Sequence, residues 1–286
     1  MRYPPTIVSP GPVNEIELIM DFVFIDIKSQ IDGNEKKLLL NLHSVEGTIP
    51  DVHNYVAIDQ NTDEWQELRK NKITASRLPT LIGLNGKKSF DIYWRIVNEG
   101  LQERDVMNTE FNNFKRGHIY ESEALKFFGL ASSSHPIPCG FFHHPSDNLY
   151  GASPDGIVGP GILVEIKTRA SNSLAPLESI TKQHYVQCQL QMICTNSSYC
   201  ILMSYHPESK SATYFLIKCD NLLWSVMQVL TNSISTNQPI SENRENRDFE
   251  TLEQNTFLCV PTFDAMKPLR TYIGKLLCDV PSVTFH

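Results

Sequence analysis

The sequence predicts a mixed α/β (α+β) protein, and two kinds of segment predict it. Short apolar runs rich in β-branched residues, Ile157-Val158, Ile162 to Ile166, Tyr199 to Tyr205 and Ala212 to Lys218, are bounded by glycine, proline or polar turns and read as strands. Around them lie longer segments whose apolar residues recur at helical spacing, such as Asn112 to Phe128 and Ile180 to Thr195. A chain of 286 residues suffices for one large or two small domains, and 41% hydrophobic content supports a sizeable core.

Residues 1–58 form a first unit, an N-terminal arm without a functional account. Apolar runs at Leu18–Phe24 and Leu38–Leu42 flank the turn-like Asp32-Gly33-Asn34 and read as a hairpin. Glu17, Asp21 and Asp26 interrupt the first run, which excludes a membrane span, and the Met1 end lacks a signal pattern. Residues 59–230 form the main unit, and residues 231–286 a polar connection with a C-terminal segment.

The main unit opens at Thr62-Asp63-Glu64-Trp65, a helix start with acidic residues in its first turn. In Lys72-Ile-Thr-Ala-Ser76-Arg77-Leu78-Pro79, Ser76 is the expected N-cap, since Pro79 is tolerated only in a first turn. A helix N-terminus carrying a hydroxyl, with Arg69 nearby, suits an anion; a capping serine beside a solvated arginine fits equally well. Asp91 to Val97 is an amphipathic helix ended by Gly100. Within Asn112 to Phe128, Ala124, Leu125 and Phe128 follow Glu121 by three, four and seven residues, so Glu121 sits on the buried face and Glu123 points elsewhere; a first-turn Glu favoured by the helix dipole is the competing reading.

Tyr150 to Arg169 organises the rest. Pro154-Asp155-Gly156 and Gly159-Pro160-Gly161 punctuate two apolar runs, giving a hairpin. Side chains alternate along a strand, so Ile162, Val164 and Ile166 share a core face, while Leu163, Glu165 and Lys167 share the other. Asp155 and Glu165 converging with the Lys167 ammonium suit a hard divalent cation and a polarised water. An ordinary surface Glu-Lys pair is the competing reading of these residues alone. After the hairpin, Val186, Leu190 and Ile193 form a helical core stripe, beside which Gln183, Gln187 and Gln191 line a polar face. Two β-runs joined by His206-Pro207-Glu208-Ser209-Lys210, then a helix over Leu222–Leu230, complete the unit.

A net charge of −7 and a pI near 5.7 argue against a generic basic nucleic-acid coat protein. Basic residues nevertheless cluster, at Arg69, Lys70, Lys72 and Arg77, at Lys87-Lys88, at Lys115-Arg116, and at Lys167 with Arg169. The seven cysteines are scattered, with no C-x-x-C pair, which fits a reduced intracellular protein, cytoplasmic or nuclear. No zinc or iron-sulfur spacing occurs, and His143-His144 reads as a loop pair.

Ser153-Pro154-Asp155 followed by Val164-Glu165-Ile166-Lys167 resembles the PD-(D/E)XK nuclease motif. Trp65-x3-Arg69 with Ile73-Thr-Ala-Ser76, Gly117-x3-Glu121-x2-Ala124, and Tyr185-Val-Gln187-Cys-Gln189 flank it, in the order found in the YqaJ-type, lambda-exonuclease-like family. The resemblance covers residues 59 to 220. It implies a restriction-endonuclease-like core, a central mixed β-sheet flanked by helices, and degradation of duplex DNA from its 5′ ends with Mg²⁺, or Mn²⁺ in its place. Asp155 and Glu165 would hold metal with the Ile166 carbonyl, Glu121 would be an upstream ligand, Lys167 would act on the nucleophilic water, and Gln187 would be an amide near it. Arg69 and Ser76 would bind the terminal 5′-phosphate. Asp147, the nearest further acid, is loosely spaced and stays outside the site. Double-stranded DNA with 5′-phosphorylated ends is the implied partner, with a single-strand annealing protein and a ring trimer of the chain as further implied partners. The alternatives are a structure-specific endonuclease or junction resolvase of the same fold, and a catalytically inactive DNA-binding module.

Overall fold

A computed structural model describes residues 52–101, 111–132, 134–169, 176–177, 179–235 and 270–272. The expected N-terminal hairpin and most of the polar C-terminal connection lie outside these residues.

Two mixed sheets carry the fold. The first has strand order β5-β6-β7-β8-β9, from β5 (Gly156–Gly159), β6 (Ile162–Thr168), β7 (Tyr199–His206), β8 (Ser211–Lys218) and β9 (Arg270–Tyr272). Only β6 and β7 run parallel within it. A parallel pair needs a crossover, here α5 (Lys182–Thr195). The second sheet has order β1-β3-β4-β2, from β1 (Tyr55–Val56), β2 (Ile73–Thr74), β3 (Phe141–His143) and β4 (Tyr150–Ala152). The hairpin expected over 150–169 therefore divides. Gly156 to Thr168 forms it, whereas Tyr150–Ala152 pairs with β2 and β3 in the other sheet.

Strand β6 is covered on both faces, which local alternation alone does not reveal. Ile162, Val164 and Ile166 pack with Ala124, Leu125 and Phe128 of α4 (Phe111–Ser132). Leu163 packs on the opposite side with Val186 and Leu190 of α5. Burying each such side chain contributes roughly 1.5–3 kcal/mol, so the strand bearing Glu165 and Lys167 is fixed in register by its neighbours.

The remaining helices follow their local signals. In α1 (Asp63–Arg69), Thr62 Oγ1 accepts from the Trp65 N–H at 3.2 Å, with Asp63 and Glu64 in the first turn. Helix α3 (Lys87–Asn98) buries Phe90, Tyr93, Ile96 and Val97. The chain leaves it through Gly100 at φ +68°, where a Cβ would lie 2.8 Å from Asn71 Oδ1. Helix α6 (Asn221–Ser235) buries Leu223, Trp224 and Met227.

The expected Ser76 cap is corrected. Helix α2 is a single turn, Leu78–Leu81, with Arg77 at its N-cap and no side-chain capping bond. Arg77 Nη1 instead donates to Arg69 O at 2.6 Å and Lys72 O at 3.0 Å, and so fixes the turn from within. Ser76 is thereby left exposed and pairs with Arg69.

Candidate active site

Asp155 sits at the mouth of β5, after Pro154, whose carbonyl accepts from Gln60 Nε2 at 2.9 Å. Its Oδ2 accepts the Ile166 N–H at 2.6 Å, which ties the loop to β6 beside Glu165. Glu165 Oε1 accepts from Lys167 Nζ and from Gln187 Nε2, both at 2.6 Å. Glu165 Oε2 accepts from Gln191 Nε2, also at 2.6 Å. Lys167 keeps 26% of its side-chain surface exposed against 3% for Glu165, so the ammonium is the member of the pair that faces outward.

Burial, then the charges of Glu165 and Glu121, push the Asp155 carboxyl well above its ordinary range, against the opposing pull of Lys167 and the Ile166 N–H. For Lys167, burial pulls the pKa down but Glu165 and Asp155 outweigh it, and the net shift is upward. Lys167 is thus an ammonium at neutral pH, a donor and a positive charge rather than a base. Glu121, from α4, lines with Asp155 a cavity of about 1260 Å³, walled also by Tyr55, Ile58, Leu125 and Pro138. Glu123 points away, accepting from Tyr205 and Lys210.

Among the described residues, no three His, Cys, Asp or Glu side chains form a metal-binding group by themselves. The donors present still suit a hard cation such as Mg²⁺, which is usually held by one or two carboxylates with waters and phosphate oxygens. Asp155 resists ionisation because of its burial first and its acidic neighbours second, and a cation beside it would favour the ionised form against both.

A second cluster lies around α1. The Arg69 guanidinium stacks 4.1 Å from the Trp65 ring centroid, and its Nη2 donates to Ser76 Oγ at 3.2 Å. Ser76 Oγ also lies 3.2 Å from Thr74 Oγ1. Trp65 Nε1 donates to Ser153 Oγ at 2.8 Å, two residues before Asp155, so the two clusters share a strut.

Residues 64–198 match the model of the YqaJ-like viral recombinase domain. The match runs from α1 to the approach to β7 and contains both clusters. The fold is also similar to that of an alkaline exonuclease (LHK-Exo) from Laribacter hongkongensis, at 23% identity, covering 69% of this chain and 99% of that one, with a TM-score of 0.49. The same exonuclease in complex with dAMP gives 22% identity, the same coverages of 69% and 99%, and a TM-score of 0.48. No curated protein matches the chain significantly.

Within the matched residues, Asp155, Glu165, Ile166, Lys167 and Gln187 come together through direct hydrogen bonds, and Glu121 joins them through its charge on Asp155. Arg69 and Ser76 meet each other. Asp147 is a turn residue whose Oδ1 accepts from the Leu149 N–H at 2.9 Å. The polar face of α5 divides: Gln187 and Gln191 reach Glu165, Gln183 reaches Leu84 O, and Gln189 bridges Lys218 O and the Asp220 N–H. Gln191 is the site residue that the motif did not single out, although its spacing from Gln187 was the available signal. His184, one turn before Gln187, is held neutral, its pKa pulled down to about 3 by burial, Lys167 and Arg169.

Proposed function

We propose that the YqaJ-like domain is a divalent-cation-dependent deoxyribonuclease that degrades linear double-stranded DNA from 5′ to 3′ in recombination and repair. The observation that carries this reading is the convergence of Asp155, Glu165 and Lys167 on one point of β6. Asp155, Glu165 and the Ile166 carbonyl would hold the cation, with Glu121 as an upstream acidic ligand. When bound, Mg²⁺, or Mn²⁺ in its place, would polarise a water and offset charge on the scissile phosphate. Lys167, as an ammonium, would orient that water and stabilise negative charge developing on the phosphoryl oxygens. Gln187 would keep the Glu165 carboxylate aimed while adding no charge. Hydrolysis joins the water oxygen to phosphorus as one ester oxygen departs, with the proton of the water released to solvent or the leaving oxygen.

Arg69 and Ser76 would receive the terminal 5′-phosphate. A guanidinium fork stacked on Trp65 is already ordered, so little of its freedom is left to lose on binding. The test is digestion of a linear duplex with a 5′-phosphate, the same duplex with a 5′-hydroxyl, and a closed circle, each with Mg²⁺ or EDTA. The expected result is Mg²⁺-dependent loss of nucleotides, faster from phosphorylated ends. Internal cutting of the circle would favour an endonuclease, and no cleavage of any DNA would leave a binding module.

A further inference from the structure

Glu165 is 3% exposed, and a carboxylate so far removed from water stays ionised only with donors at its oxygens. Oε1 has two, Lys167 Nζ and Gln187 Nε2, each at 2.6 Å. Oε2 is held by Gln191 Nε2 at 2.6 Å. Gln191 is itself 1% exposed, and its Oε1 is buried without a hydrogen-bond partner. Turning this amide over would set its oxygen against Glu165 Oε2, two acceptors face to face. The carboxylate therefore dictates the amide's orientation and leaves Gln191 Oε1 unsatisfied. A residue kept for packing alone would serve better as Met, which fills a similar volume without an orphaned carbonyl. Gln187 and Gln191 are four residues apart on α5, so their amides stand one turn apart and bracket both oxygens of Glu165.

We propose that Gln191 is a positioning residue for Glu165, and through it sets the affinity of the site for a divalent cation. The amide orients the carboxylate without neutralising it, whereas a cationic side chain in its place would compete with the metal. This role deepens the proposed function and rests on its assignment of Glu165 as a ligand. Partners of a ligand that do not themselves touch metal change affinity by about 10–100-fold when removed.

The test is calorimetric titration of Mg²⁺, and separately Mn²⁺, into the full chain freed of metal with EDTA and dialysed, for wild type and Gln191→Met, with melting temperatures of both. The expected result is a Kd raised at least about tenfold in the variant. A lowered melting temperature with an unchanged Kd would mean that Gln191 only packs, and would overturn the proposal alone. If Gln191→Met does not fold, Gln191→Asn, whose amide is drawn back from Oε2 by one methylene, carries the same expectation and the same contrary outcome. Wild-type protein that binds neither cation would overturn the metal-dependent reading and this proposal with it.

Discussion

The carboxylate cluster and the Arg69 cluster are built on opposite plans. Asp155, Glu165 and Lys167 lie on or against a central strand, are held by hydrogen bonds of 2.6 Å, and are backed by α4 on one face and α5 on the other. Arg69 and Ser76 meet at 3.2 Å beside a one-turn helix, with Ser76 exposed and Arg69 held by stacking on Trp65. The first arrangement buries a carboxyl, Asp155, beside two further acidic groups, with Lys167 opposing them. The second sets an exposed hydroxyl beside a guanidinium that is itself buried at 5% exposure. The contrast fits chemistry at the first and recognition at the second.

The largest effect that would break this contrast is expected at Lys167. Lys167→Ala should lower cleavage by about 10²–10⁴-fold, as loss of a positioned catalytic group does, and leave DNA binding nearly intact. Parallel cleavage and gel-shift titrations would check this. Asp155→Asn should abolish cleavage too, yet raise the melting temperature of metal-free protein, because it removes a carboxyl that is buried and flanked by Glu165 and Glu121. The pH dependence has a definite sign. A carboxyl whose folded pKa is raised favours the folded state at low pH, and that contribution is lost as pH rises from the ordinary carboxylate value towards the raised one. The stabilising difference of Asp155→Asn over wild type in EDTA should therefore grow from pH 4 upward, and a difference independent of pH would contradict a raised Asp155 pKa.

A smaller effect is expected at the second cluster. Arg69→Lys keeps the charge but loses the planar fork and its stack, and should reduce the preference for 5′-phosphorylated over 5′-hydroxyl ends by about tenfold. Cleavage at saturating DNA should change little. The smallest effect is expected at Thr62→Ala, which removes the cap of α1 and should cost about 1 kcal/mol in chemical denaturation with no change in end preference.

The sequence made most of the carboxylate cluster legible because its members lie on one hairpin and on helices with strong periodicity. Asp155, Glu165 and Lys167 are placed by turn residues and period-two alternation, both of them local. Glu121 followed from its spacing to Ala124, Leu125 and Phe128, all of which are buried. Long-range pairing was not legible: nothing local tells Tyr150–Ala152 to leave the hairpin for β2, or β9 to extend the other sheet. Ser76 was misread as a cap because Pro79 marks a first turn, while the bonds from Arg77 to the carbonyls of Arg69 and Lys72 depend on how the chain folds back. Gln191 was visible as part of a polar face, but its reach to Glu165 depends on the register of α5 over β6.

The most direct measurement is release of mononucleotides from a 5′-phosphorylated linear duplex in Mg²⁺, comparing wild type, Lys167→Ala and Arg69→Lys. The account predicts near-complete loss of release for Lys167→Ala at every DNA concentration, and for Arg69→Lys a defect that shrinks as DNA is raised. Equal release by wild type and Lys167→Ala would contradict the assignment of chemistry to the carboxylate cluster.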